Sequence, residues 1–145
     1  MTREPPPLAV ATAPTPEDER DAEAFLIAFA RAVHTAGTPA HRLEETIAEL
    51  AQRLGRRTVT MSSPTMLLLG FGPAEQQRTV LLRVEPAEIH LARLDDLYYV
   101  ARRVRSGAWS AEEGLRAFQR IEVTPAVSGS PLSTILLWLL LSATL

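Results

Sequence analysis

His34, His41, Glu44 and Glu45 crowd around Gly37 in one short stretch of the chain. Imidazoles and carboxylates brought together do one of two kinds of chemistry. They ligate a divalent metal, or they act as a general acid–base pair in hydrolysis. The metal reading lacks its usual spacing: no H-E-x-x-H occurs, and the two histidines fall on different predicted helices. The expectation is therefore partly exposed polar side chains at a helix corner, with no metal. A hydrolytic reading would use His34 or His41 with Glu44 across that corner. The chain contains no G-x-G-x-x-G, no P-loop and no G-x-S-x-G. Gly70-Phe71-Gly72 before Pro73 reads as a turn, and Ser62-Ser63 before Pro64 as turn residues without a positioned base. His90, near Glu88, reads as part of a solvated turn. No catalytic residue and no cofactor is expected.

Charge spacing makes finer distinctions. Arg42 and Glu45 are three apart and Glu49 and Arg53 four apart, so both pairs are expected to meet on a helix surface. Arg42 should lie on that polar face, available to a partner or solute. Glu44 adjoins the apolar position Leu43. It is expected to be partly buried beside a sheet and to reach Arg83 or Arg93. Arg102, Arg103 and Arg105 cluster, but Asp95, Asp96, Glu112 and Glu113 lie nearby and the net charge is -2, so no nucleic-acid partner is expected.

These side chains need elements to hold them. The 145 residues suit one domain at most, and 46% hydrophobic with 22% charged residues is ordinary globular usage. The absence of cysteine excludes a disulfide framework, a thiol nucleophile and a thiolate metal site. Residues 1–14, with a Pro-Pro-Pro run and no apolar stretch after a basic start, read as a disordered leader and not as a signal peptide. Order should begin at Thr15, with Pro16 in the first turn and Asp18 answering back as in a capping box. A helix then carries Phe25, Leu26, Phe29, Val33 and Ala36 on one face, and Gly37 is placed to end it. Thr38-Pro39 repeats that grammar as N-cap and first turn. Leu43, Ile47, Leu50, Ala51 and Leu54 form the apolar stripe of a second helix closed by Gly55.

The period then shortens to two. Residues 57–61, 65–71 and 78–84 read as three strands of an antiparallel meander, with turns at Ser62-Ser63-Pro64 and after Gly72-Pro73. Helical spacing returns at Leu91, Leu94, Leu97, Tyr98, Ala101 and Val104, with Gly107 as a stop. Ser110 to Glu113 is a second capping box, opening a helix that carries Leu115, Phe118 and Ile121. The fold class predicted is α+β, with two N-terminal and two C-terminal helices on a small, mainly antiparallel sheet over 15–123. Residues 124–130 read as a linker.

Pro131 to Leu145 carries no charge. At roughly 22 Å as a helix it is shorter than the roughly 30 Å core of a bilayer, yet it lacks the polar stripe of a surface helix. Two readings remain: the start of a transmembrane helix, or a terminal helix buried in a partner or oligomer.

The order of these features resembles the threonine/serine exporter family, over about Phe25 to Leu145. The carrying residues are Gly37, Pro39, Arg42, Glu44, Leu54 and Gly55 in the helix–turn–helix, then Ser63-Pro64-Thr65 before an apolar strand. Arg83-Val84, Leu91-Ala-Arg-Leu94 with Leu97, and Gly107, Ser110 and Glu113 follow, and Pro125 stands before the apolar end. The resemblance implies a soluble N-terminal α+β domain ahead of a membrane domain that exports small hydroxy amino acids. It implies Arg42, Glu44 and Arg83 as substrate or partner contacts, and Gly37, Pro39, Gly55, Pro64 and Gly107 as structural positions. It implies a bacterial inner (plasma) membrane, with the membrane and further transmembrane helices as partners; Arg116 and Arg120 near the apolar segment, with no signal peptide, put residues 1–123 on the cytoplasmic side as an expectation. On this expectation the chain is a truncated piece of an exporter, unable to transport alone. The competing readings are a soluble hydrolase using His34 or His41 with Glu44, and an interaction module docking through its apolar end.

Overall fold

Thr15 starts the first helix as its side chain and backbone dictate. In the computed structural model, which describes residues 15–85 and 91–123, Thr15 Oγ1 accepts from the Asp18 amide at 3.2 Å, and Asp18 Oδ2 accepts from the Thr15 amide at 2.9 Å. This reciprocal cap satisfies amides that a helix start otherwise leaves open. Helix α1 spans Pro16–Thr35 and buries Phe25, Leu26, Phe29 and Val33 completely. Gly37 follows at φ 88°, a left-handed conformation that a Cβ would strain, and turns the chain into α2, Ala40–Arg53. The N-cap of α2 is Pro39, without a side-chain cap, and not Thr38 as its sequence suggests. Thr38 is instead tucked under the corner, with its amide bonded to the Val33 carbonyl at 3.0 Å. Completing the end of α1 takes Thr38 out of capping reach. Leu43, Ile47, Leu50 and Ala51 bury the apolar stripe of α2.

The sheet has three antiparallel strands in the order β1-β2-β3: Thr58–Ser63, Met66–Phe71 and Arg78–Arg83. Ser62 and Ser63 belong to β1, and the turn is Pro64-Thr65 alone. A two-residue loop pairs Ser63 directly with Met66, which carries the ladder further than the serines suggested. A short 3-10 helix, Ala74–Gln76, makes the second connection. Directly paired residues share a face. Ser62, Leu67 and Leu82 therefore line up on one face with Thr60, Leu69 and Val80, and with Thr58, Phe71 and Arg78. That face meets the helices and buries Leu67, Leu69 and Phe71. The opposite face exposes Val59, Met61 and Leu81, each at 61%.

Helices α3 (Leu91–Arg105) and α4 (Ala111–Val123) complete an α+β fold of four helices and one sheet. Ser110 caps α4: its hydroxyl accepts from the Glu113 amide at 3.2 Å, and the Glu113 carboxylate accepts from the Ser110 amide at 2.7 Å. Phe118 of α4 stacks on Phe25 with ring centroids 5.1 Å apart, and Phe29 meets Tyr98 edge-on at 5.9 Å. Gly114 lets α4 approach this closely, since a Cβ there would lie 2.5 Å from Phe25 Cε2 and 2.8 Å from Val104 Cγ2. The core is thus one cluster shared by all four helices and the inner sheet face.

Candidate functional site

Helices α2 and α3 each present one ridge to a shared cleft. On α2 the ridge is Arg42, Glu45, Thr46 and Glu49, and on α3 it is Tyr98, Arg102 and Arg105, spacings that place each set on one helix face. Leu50 and Ala101 form the apolar floor of this cleft, whose volume is ≈ 340 Å³. The C-terminal ends of the two helices are tied together. Glu49 pairs with Arg105 at 2.6 Å, and Arg53 Nε donates to the Arg105 carbonyl at 3.2 Å. A guanidinium at a helix end that carries open carbonyls is favourably placed. This corrects the expected Glu49–Arg53 pair: both side chains reach across to α3 instead of along α2. Arg42 and Glu45 form no ion pair with each other either, and among the described residues neither forms one elsewhere.

Glu44 sits one position round the helix, half-buried against β1. Its Oε1 accepts from the Ser62 amide at 2.8 Å. Ser62 directs that amide away from β2, so the carboxylate closes an open donor on the sheet edge. The expected arginine partner is absent. Arg83 shares the outer face with Leu81, because strand alternation puts it opposite the face that meets the helices. Arg93 makes no ion pair among the described residues. The structure therefore places Arg42 on the cleft, Glu44 beneath β1 and Arg83 on the far side of the sheet, and does not gather the three.

The histidine corner holds a second, smaller cavity of ≈ 250 Å³, lined by His34, Gly37, Thr38, Ser62, Ser63 and Pro64 among others. His34 Nε2 lies 2.8 Å from the Ser63 carbonyl, which can only accept, so this nitrogen carries the proton. His34 Nδ1 and Thr38 Oγ1 are buried there without a hydrogen-bond partner among the described residues. His34 and Glu44 thus both reach the end of β1, but each is engaged with backbone and no bond joins them. His41 is exposed in the first turn of α2. Among the described residues no group of three potential metal ligands comes together. His90 and Glu88 lie outside the described residues.

One buried charge escaped the sequence reading. Glu23 on α1 is 8% exposed and bonds both Arg56 and Arg78, while Glu19 reaches Arg56 at 2.9 Å. Arg78 reaches it because it stands on the inner sheet face beside Phe71. The signal was present: Glu23 precedes the buried Leu26 and Ala30 by three and seven residues, an apolar-face spacing. The network joins α1, the connection after α2 and β3, and its geometry is structural.

Residues 24–145 match one family model, described as "Putative threonine/serine exporter" (ThrE). No curated protein and no solved structure matches the chain. Among the described residues no helix is long and apolar enough to cross a membrane. The apolar segment from Pro131, the linker before it and the leader lie outside the described residues.

Proposed function

We propose, from the premise that this chain belongs to the threonine/serine exporter family (ThrE), that residues 15–123 are the cytoplasmic domain of an amino-acid exporter and that Pro131 to Leu145 leads into its membrane part. The observation that carries this reading is the extent of the family match. It runs without a break from the folded domain through the uncharged segment 131–145, as one exporter polypeptide would. A path across a bilayer takes several packed helices, so the domain does not transport by itself. The remaining membrane helices supply the path for small hydroxy amino acids, and this domain gates, regulates or assembles them. The role is non-enzymatic: His34 and Glu44, the side chains fit for acid–base work, are held on backbone groups of β1.

Charge supports the cytoplasmic side. Arg116 and Arg120 stand within about 15–20 residues of the start of the apolar segment, where basic residues weigh most in keeping a domain on the cytoplasmic face. The chain has no cysteine, so one introduced at an exposed position is a unique reporter. In a Glu75→Cys variant of the full chain in bacterial cells, a membrane-impermeant maleimide should label only after the inner membrane is opened. Labelling in intact spheroplasts would reverse the topology.

A further inference from the structure

We infer that the cleft between α2 and α3 is a binding site for a free zwitterionic α-amino acid, its carboxylate held by Arg42 and Arg102 and its ammonium by Glu45. The inference rests on the exporter reading for its biological role, and on the cleft alone for its chemistry. Four observations carry it.

The charges on the two ridges are incompletely matched within the domain. Glu49 and Arg105 satisfy each other at 2.6 Å. Arg42, Arg102 and Glu45 border the same cleft and form no ion pair among the described residues. Arg102 only approaches the Tyr99 ring, at 6.0 Å. Two guanidiniums and one carboxylate are thus left facing one space. Guanidiniums bind carboxylates through paired, charge-assisted hydrogen bonds, and a carboxylate does the same for an ammonium. A ligand carrying both groups on one carbon complements this set, and a simple anion would leave Glu45 unanswered.

Arg42 also occupies an unfavourable position for a structural residue. It lies in the first turn of α2, which holds no acidic residue, and Pro39 provides no side-chain cap. The positive end of the helix dipole repels a cation there. A ligand carboxylate at this end would be attracted by both Arg42 and the helix. The third observation is Tyr98, on the cleft wall. Its ring is fixed edge-on against Phe29, and its hydroxyl is buried without a partner among the described residues. Buried polar groups are normally satisfied, and a small shift of this ring that bares the hydroxyl to the cleft would let a ligand group satisfy it. The fourth is size. The cleft, ≈ 340 Å³ over a floor of Leu50 and Ala101, is at the small end of ligand pockets and suits a molecule of amino-acid dimensions.

A ligand seated here bridges α2, from the N-terminal half of the fold, and α3, which continues through α4 toward the apolar segment. Occupancy would tighten the junction between the two halves, so the domain would sense the amino acid at a place apart from any membrane path.

The test uses the full chain purified in detergent, with L-threonine as probe and calorimetric titration as readout. Saturable binding is expected, with N-acetyl-L-threonine, which lacks the ammonium, and L-threonine amide, which lacks the carboxylate, each at least about tenfold weaker. Arg102→Gln and Glu45→Gln alter exposed side chains that form no ion pair among the described residues, so both should fold. Each should weaken L-threonine about tenfold or more, and Glu45→Gln should erase the difference between L-threonine and its N-acetyl form. Glu112→Gln, on a distant surface pair, should leave binding unchanged. Absence of saturable binding, equal binding of the three probes, or wild-type affinity in both cleft variants would overturn the inference. Cytoplasmic labelling of Glu75→Cys together with any of these results removes the site and leaves the exporter reading. Labelling from outside removes the topology and leaves the binding result to stand.

Discussion

Single side chains in this domain differ sharply in what they hold together. Glu44 and Glu45 are neighbours with opposite roles. Glu44 closes an amide on the edge of β1, and Glu45 borders the cleft without an ion pair among the described residues. A hydrogen bond to a charged group contributes about 1.5–3 kcal/mol, so Glu44→Ala should destabilise by about that much, against less than about 0.5 kcal/mol for Glu45→Ala. Urea unfolding of the two variants decides this, and equal small losses would mean that the Ser62 bond contributes nothing. Glu23 binds two arginines. Removing it leaves Arg56, with a side chain only 17% exposed, with the more exposed Glu19 as its carboxylate partner. Breaking a buried pair from one side costs about 3–5 kcal/mol when the remaining charge is left alone, so with Glu19 still on Arg56 the loss in Glu23→Ala should be about 1–3 kcal/mol by the same measurement.

Asp18 gives the domain an acid limb. Its hydrogen bonds from Thr15, side chain first and backbone second, hold its carboxyl below the usual value. A folded value below the unfolded one means that the ionised form stabilises the helix start. That stability is present above the unfolded value of about 4 and disappears as pH falls through the lowered folded value. Thermal melts of wild type and Asp18→Asn should therefore differ near neutral pH and converge in acid. A constant difference across that range would show that the cap does not titrate.

At the scale of elements, close approach decides the packing. Gly114 sits where α4 crosses α1 and α3, and any Cβ meets the Phe25 ring and the Val104 methyl. Gly114→Ala gains helix propensity but overpacks the core. Overpacking costs about 1–3 kcal/mol, so the variant should melt lower despite the better helix former. A higher melting temperature would show that α4 has room to shift. Most elements were legible because their cause is local. Thr15 with Asp18 and Ser110 with Glu113 announce their helices by chemistry within one turn, and Gly37 announces a left-handed corner. What stayed hidden depends on neighbours distant in sequence. Thr38 is a good cap by type, but the end of α1 claims it. Glu49 sits four residues from Arg53, but α3 brings Arg105 closer, fifty-six residues away. Glu23 stands at an apolar-face position that becomes tolerable only when Arg56, from the connection after α2, and Arg78, from the sheet, arrive. Arg83 could have been placed by strand parity alone, since it is one residue from the inward Leu82. The cleft was half legible: Arg42 was marked as available, but nothing local pairs it with Arg102 on a helix sixty residues on.

For the whole molecule, the folded domain and the apolar segment have different solvent requirements. Residues 15–123 have their own core, with the large aromatics of α1 and α4 buried together. Pro131 to Leu145 offers almost no wet face, and an exposed surface of that kind drives adhesion to membranes or self-association. The outer sheet face, with Val59, Met61 and Leu81, is a second apolar surface, but its rim is polar through Ser63, Thr79 and Arg83. The two surfaces predict different behaviour when separated. The direct measurement is fractionation of the full chain beside a version ending at Val127, both expressed in bacteria. The expected result is a full chain in the membrane fraction, released only by detergent, and a shortened chain that is soluble, monomeric and melts cooperatively. A full chain that stays monomeric in the soluble fraction without detergent would contradict the membrane assignment and place the apolar segment within the domain's own core.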